Sequence, residues 1–428
     1  MSLPPPHPAD PWRLHVVLAA LFTVLCAVRL TTPSTPLFDE VHYLPAARAV
    51  LDLSQALNME HPPLGKQAIA LGMLLFGDNP LGWRIVPLLM GVLALFAGMR
   101  AMWFVTCRRA PSLLTGLFLI TGFPLLVQAR IAMLDIMMTG FMMLALWMCA
   151  GAVRENETAR WRLAIAGVAL GAAMTSKWNA IPLAMLPGLA FLVARVWQAR
   201  WHALTSNRGW PIGGMTLWEA GIWLGLVPLL TYALAYWPFL LFADVPGNPT
   251  GLVDLHRQML DLQTQVLTPH PYQSTWWQWI GNSRAIWYLY EVVDGAQRGV
   301  LMMGNPVSSL AMLPALAWCA WAGLGAGVKQ GRRDCAAVFV LYAVSVGLWI
   351  VAPKPVQFYY HYFLPHMLGM AALALGVERL WQRGERLVPG ALVAGSAAML
   401  AWFYPILTAA ALAGDQSFLD YAWIEGWR

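Results

Sequence analysis

The stretch PLFDEVHYLP, residues 36–45, sets two adjacent carboxylates, Asp39 and Glu40, and an imidazole, His42, directly after a strongly apolar run. Neighbours on a helix point about 100° apart, so one site does not use both carboxylates equally. The functional division is one general base that takes a proton from a hydroxyl and one neighbour that positions it. The structural reading is a helix start, with Asp as N-cap and Glu complementing the helix dipole. Four other stretches supply cations. In MEHPPLGK, 59–66, His61 and Lys66 flank Pro62-Pro63, which bars regular helix and either aims cations at an anion or simply opens a helix. In QARIAMLD, 128–135, Arg130 suits bidentate phosphate contact or snorkels to headgroups, and Asp135 reads as the cap of the next helix. Lys177 in MTSKWNAI falls between two apolar runs, where a charge needs a partner or an interface. Lys354 and His361 lie in KPVQFYYHYFLP, where a lone His is more often structural. Finally, residues 268–291 hold His270, Tyr272 and Trp276 in a dense aromatic run that either stacks on a sugar or sits in the membrane interface.

The elements that must position these groups are set by composition. The chain of 428 residues is 59% hydrophobic and 11% charged, which places it among integral membrane proteins. Its net charge of +6 is spread over short connections with no basic stripe, which argues against nucleic acid as a partner. Apolar runs near the ~20 residues that cross a bilayer recur at 14–32, 81–105, 111–128, 132–153, 162–178, 180–197, 216–240, 306–327, 335–352, 360–380 and 388–409, predicting an all-α polytopic protein with about 11 transmembrane helices. Residues 162–197 read as two short helices or one re-entrant pair.

Basic residues occupy alternate connections: Arg108 and Arg109; Arg154, Arg160 and Arg162; Arg195, Arg200 and Arg208; Lys329, Arg332 and Arg333; Arg383 and Arg386. They mark those connections, and the N-terminus with Arg13, as cytoplasmic, and an odd span count puts the C-terminus outside. Acids gather in the outer connections, among them Asp39, Glu40, Glu60, Asp244, Asp254 and Asp294. Two of these are long, about 33–80 and about 241–305. The first is expected to carry helices lying on the membrane, over PAARAVLDLSQAL and KQAIALGMLLFG. The first apolar run has no small-residue cleavage site after it and reads as a retained helix. The five cysteines fall in spans or inner loops, which predicts no disulfide framework and shows no metal spacing. There is no Gly-rich nucleotide loop and no G-x-S-x-G. Carboxylates, scattered cations and aromatics at one membrane face suit a lipid-linked sugar phosphate. A lipid or solute transporter is the reading from a different class, and it would place polar groups along the spans themselves.

In order along the chain, FDEVHY, EHPPLGK, ARIAMLD, TSKWNAIP, HPYQSTWWQW, GNP at 304–306 and FYYHYFLP resemble motifs of the protein O-mannosyltransferases of glycosyltransferase family 39. The likeness runs from about residue 36 to 365. It implies a GT-C fold over a single membrane domain, 1–428. It implies an inverting transfer of mannose from a polyprenyl-phosphate mannose donor to Ser/Thr hydroxyls of secreted proteins, with no cofactor and no divalent metal. The acidic pair of the first outer loop is catalytic in the family, which carries to Asp39 and Glu40. Donor-phosphate contacts are then expected from Arg130, Lys177, His61 and Lys354, and sugar or acceptor contacts from His42, His270, Tyr272, Trp276 and His361. The outer segment 241–305 is too short for the β-trefoil module of eukaryotic members, so the chain resembles the compact form of a bacterial inner membrane, with its site on the outer face. A related branch that transfers aminoarabinose to lipid A makes a lipid or glycan acceptor the near alternative.

Overall fold

The computed structural model describes residues 9–242, 248–265, 268–325, 331–352 and 354–428. Asp244 and Lys329 lie outside the described residues. The helices in chain order are α1 Trp12–Ala27, α2 Glu40–Leu51, α3 Leu64–Phe76, α4 Pro80–Thr106, α5 Arg109–Thr121, α6 Pro124–Gln128, α7 Leu134–Arg154, α8 Ala159–Ser176 and α9 Ile181–Ala199. They continue with α10 Leu217–Gly221, α11 Val227–Ala235, α12 Leu252–Thr264, α13 Trp276–Ile280, α14 Pro306–Gly323, α15 Arg333–Val351, α16 Phe363–Gln382 and α17 Leu387–Leu407.

Among the described residues, each apolar run picked out in the sequence carries helix. Among the described residues, eight helical segments are long and apolar enough to cross a membrane: 80–106, 134–154, 178–202, 217–235, 306–323, 333–351, 359–382 and 387–407. The expected count of about 11 is met only if α1, α5 and α8 are added, and these are shorter or more polar. The predicted span 111–128 breaks at Phe123, which has φ 81° and precedes Pro124. Proline withholds an N–H and drives the residue before it out of helix, so the run splits into α5 and α6. The stretch 162–197 resolves as two helices, parted at Lys177, which is extended at φ −160° and ψ 135°.

The core is formed where α4 packs along α7 and α7 along α8, with α5, α14, α15 and α16 closing the other side. Small residues permit close approach between α3 and α4: a Cβ on Gly72 would stand 2.3 Å from the carbonyl oxygen of Gly82. Two helix starts are fixed by Asn followed by Pro. Asn79 Oδ1 accepts from the amides of Leu81 and Gly82, and Asn305 Oδ1 accepts from those of Val307 and Ser308. Asn305 Nδ2 also donates to the carbonyls of Thr121 and Ser396, tying α14 to α5 and α17.

The basic connections meet at one end of the bundle. There Arg108 pairs with Asp334 at 2.7 Å and with Glu378 at 2.8 Å. The acid-rich connections form a layer at the other end. It holds α2 and α3, the expected surface helices, together with α12, α13 and, among the described residues, one exception to the all-helical pattern. This is an antiparallel hairpin, β1 Ile286–Val293 and β2 Ala296–Met302. Its turn is Asp294-Gly295, both with positive φ (49° and 72°), the geometry of a tight hairpin turn. Trp287 and Tyr288, read as belt or stacking residues, are buried in this hairpin, and Trp287 Nε1 donates to the carbonyl of Trp427.

Candidate active site

Asp39 and Glu40 divide their roles sharply. Asp39 occupies the N-cap position of α2, yet its side chain makes no capping bond. Its Oδ2 instead accepts from the Tyr43 hydroxyl at 3.2 Å. Burial pushes the Asp39 carboxyl above the usual carboxylate range, with the neighbouring Asp135 charge acting the same way and the Lys177 ammonium opposing both.

Glu40 turns inward and is fully buried. Its Oε1 accepts from Arg84 Nε and from the Ala132 amide, both at 2.9 Å, and its Oε2 accepts from Arg84 Nη2 at 2.8 Å and the Leu37 amide at 3.0 Å. Arg84 also donates to the carbonyls of Leu30, Pro33 and Thr35. All its lone-pair directions are occupied by the scaffold, and it fixes the loop and helix start that present Asp39, so of the two roles weighed for the acidic pair its contacts are those of a positioning group.

Lys177 projects from the break between α8 and α9. Its Nζ donates to Asp135 Oδ2 at 2.7 Å and lies 4.9 Å from the centre of the Tyr360 ring. Asp135 therefore does not cap α7, as the sequence suggested; it holds an ammonium across to a neighbouring helix. Lys177 is also one wall of a cavity of about 210 Å³ whose lining includes His61, Gln263, Trp349, Lys354 and His361. Lys354 Nζ donates to Gln263 Oε1 at 3.0 Å, which orients that amide so that Nε2 donates to the Glu60 carbonyl at 2.6 Å and lies 3.4 Å from His61 Nδ1. Burial, with the Lys177 charge nearby, pushes Lys354 down to about 8. Burial, with the charges of Lys177, Lys354 and Lys66, drives His61 well below the usual histidine value, so it is neutral. His361 is buried; the Phe358 N–H donates to its Nδ1 at 2.9 Å, and its Nε2 has no partner among the described residues.

Other expected residues are placed elsewhere. Arg130 was the first choice for phosphate, but its guanidinium is spent on main-chain carbonyls, those of Cys26, Val28 and Arg29, where it ties α1 to the turn before α7. Lys66 is likewise bound by the carbonyls of Leu57, Asn58 and His61. His42 is exposed on α2. His270, Tyr272 and Trp276 do not line the cavity; His270 Nδ1 accepts from the Tyr272 amide at 3.1 Å, and its ring packs on Phe358. The sequence reading missed Arg84, Gln263, Tyr43 and Tyr360. Among the described residues no cluster of three or more His, Cys, Asp or Glu is arranged to hold a metal ion.

With this geometry in place, two family models match the chain. One, described as dolichyl-phosphate-mannose-protein mannosyltransferase, matches residues 60–217, and the other, the C-terminal four-span region of protein O-mannosyltransferase, matches 250–427. The chain belongs to the protein O-mannosyltransferase family. Among family relatives, a polyprenol-phosphate-mannose–protein mannosyltransferase of Mycolicibacterium smegmatis is 28% identical, with 100% of this chain and 96% of the relative covered. One of the same description from Corynebacterium glutamicum is 24% identical at the same coverage. The fold matches the S. cerevisiae protein O-mannosyltransferase complex bound to the sugar donor, at TM-score 0.78, 13% identity, and 97% and 93% of the two chains. It also matches ArnT from Cupriavidus metallidurans bound to undecaprenyl phosphate, at TM-score 0.60, 17% identity, and 92% and 65%. This family member is thus a multi-pass membrane protein of the GT-C fold.

Proposed function

We propose that this protein transfers mannose from polyprenyl-phosphate mannose to Ser or Thr hydroxyls of proteins at the outer face of a bacterial inner membrane, with the configuration at the sugar carbon inverted. The observation that carries this reading is a buried carboxylate, Asp39, that feels the charge of Lys177, itself a wall of a cavity that brings together two ammoniums, Lys177 and Lys354, and two imidazoles, His61 and His361. The relatives' shared description supports the donor. The polar arrangement separates two tasks: a base for an incoming hydroxyl, and donors for a phosphate.

The acceptor oxygen attacks the anomeric carbon from the side opposite the phosphate. As the new C–O bond forms, Asp39 takes the hydroxyl proton; its upward displacement makes its carboxylate a stronger base than that of an ordinary Asp. The bond from the anomeric carbon to the phosphate oxygen breaks, and its electron pair stays on that oxygen. The phosphate thus gains one negative charge. Lys177 and Lys354 accelerate transfer to the extent that they hold this charge more tightly in the transition state than in the bound donor. No general acid is needed for such a leaving group. Glu40, through Arg84, keeps the Asp39 backbone in place. The chain acts as one domain, with the acid-rich layer outward and the basic connections cytoplasmic.

The test is transfer of labelled mannose from a synthetic polyprenyl-phosphate mannose to a Ser/Thr-bearing peptide by purified protein. Asp39→Asn is expected to lower kcat by about 10²–10⁴-fold. Near-normal turnover by that variant would remove Asp39 as the base. Donor consumed only when a lipid or glycan replaces the peptide would reassign the acceptor, and a donor left intact under all conditions would overturn the enzyme reading.

A further inference from the structure

We infer that His361 is a ligand of the donor's phosphate, held as the neutral Nε2–H tautomer so that it gives the cavity it shares with Lys177 and Lys354 a fixed, uncharged hydrogen-bond donor. This deepens the donor reading above and rests on it.

Local hydrogen bonding decides the tautomer. Nδ1 of His361 lies 2.9 Å from the Phe358 amide nitrogen and 3.1 Å from the Phe358 carbonyl oxygen. That carbonyl already accepts from the His361 amide at 3.0 Å. The Phe358 N–H has no other acceptor among the described residues. Placing the lone pair on Nδ1 satisfies both main-chain groups, whereas placing the proton there strands a buried N–H at a cost of about 1–3 kcal/mol. The proton therefore resides on Nε2.

That N–H is buried and lacks an acceptor, in a residue 1% exposed that lines the cavity. Buried polar groups are nearly always bonded, so an orphan facing a cavity marks a place for a ligand atom. The ring has little freedom to turn away: it sits 4.1 Å from the Trp349 ring centre and 4.4 Å from that of Tyr360. Lys177 and Lys354 line the same cavity and are donors only, while Asn179, Gln263 and Thr264 add groups that can accept. Two ammoniums in one cavity call for a ligand that carries negative charge, which a phosphate supplies and a sugar or a free hydroxyl does not. The charge beside His361 therefore favours the phosphate. A lysine in this place would add a third charge and bind the released phosphate too firmly; a neutral N–H contributes geometry instead.

The experiment measures binding of polyprenyl phosphate, the product that carries the phosphate without the sugar, and of the uncharged polyprenol, to the purified full-length protein in detergent. Two variants are compared. His361→Phe keeps the ring between Trp349 and Tyr360, and His361→Gln keeps an N–H near the Nε2 position. Both remove the Nδ1 acceptor, so their difference isolates the Nε2–H. His361→Phe is expected to weaken polyprenyl phosphate about tenfold and leave polyprenol unchanged, with His361→Gln recovering most of the loss. Equal phosphate affinity in the two variants, or an equal loss of polyprenol, would overturn the inference. Lys177→Met is measured in parallel. If it weakens phosphate binding while His361→Phe does not, the donor site stands and only the His361 assignment falls; if neither changes binding, both fall. Should His361→Phe not fold, the nitrogen-15 resonances of histidine-labelled wild-type protein decide. A protonated Nε2 that shifts on adding polyprenyl phosphate supports the assignment, and a protonated Nδ1 or an unmoved signal refutes it.

Discussion

Asp39 and Lys354 are displaced in opposite directions by one cause, loss of water, and each displacement sets one limb of a pH profile. Asp39 works as a base only when ionised. Because its carboxyl is raised above the ordinary ~3.9, kcat/KM falls as pH drops through that raised value, and the acid limb lies higher than a free Asp would give. Lys354 holds phosphate only when protonated, and it loses its proton as pH rises through about 8. The alkaline limb of kcat/KM is therefore expected near 8, and Lys354→Arg, charged at all accessible pH, should move it upward. A profile flat from pH 7 to 10 in the wild type would separate Lys354 from the donor. At this scale the sequence was half legible. The Asp-Glu pair, His61, Lys177 and Lys354 stood out because charge is scarce in so apolar a chain. Arg84 and Gln263 did not, because their partners lie 44 and 202 residues away and neither sits in a conspicuous motif. Arg130 stood out for the wrong reason: an arginine that binds carbonyls reads the same in sequence as one that binds an anion.

Helix α2 presents Asp39 because Glu40 and Arg84 lock its first turn against α4 and the turn before α7. Removing one partner of a buried pair leaves an uncompensated charge. Arg84→Ala is expected to cost about 3–5 kcal/mol of stability, read as a lower unfolding midpoint in detergent, with activity lost as the loop loosens. A variant of wild-type stability would show that the pair is not what fixes the loop. The helices were legible because apolar runs longer than any soluble core needs are of little use outside a bilayer. The breaks were partly legible, since Pro124 ends α5 by its own covalent geometry. The hairpin was overlooked although Asp294-Gly295 is a strong turn signal. Its strands are so rich in Trp and Tyr that they also read as a membrane-interface belt, and only pairing across the turn separates the two readings.

The whole molecule is polarised end to end: acids, aromatics and the cavity at one end, arginine pairs at the other. If that axis follows the membrane normal as proposed, an impermeant maleimide applied to intact cells should label His42→Cys in α2 and leave Arg386→Cys, before α17, unlabelled until the membrane is opened. Reversed labelling would invert the topology. The position of Lys177 has a bearing on timing. It is held by Asp135, caps the face of Tyr360, lines the phosphate cavity and is the cation that most restrains the proton affinity of Asp39. When charge builds on the departing phosphate, the pull of Lys177 on Asp39 is partly cancelled, and the base strengthens as the sugar bond lengthens. Deprotonation of the acceptor is thereby synchronised with departure of the lipid: with no donor in place Asp39 is a poorer base, and a stray hydroxyl such as water finds little help.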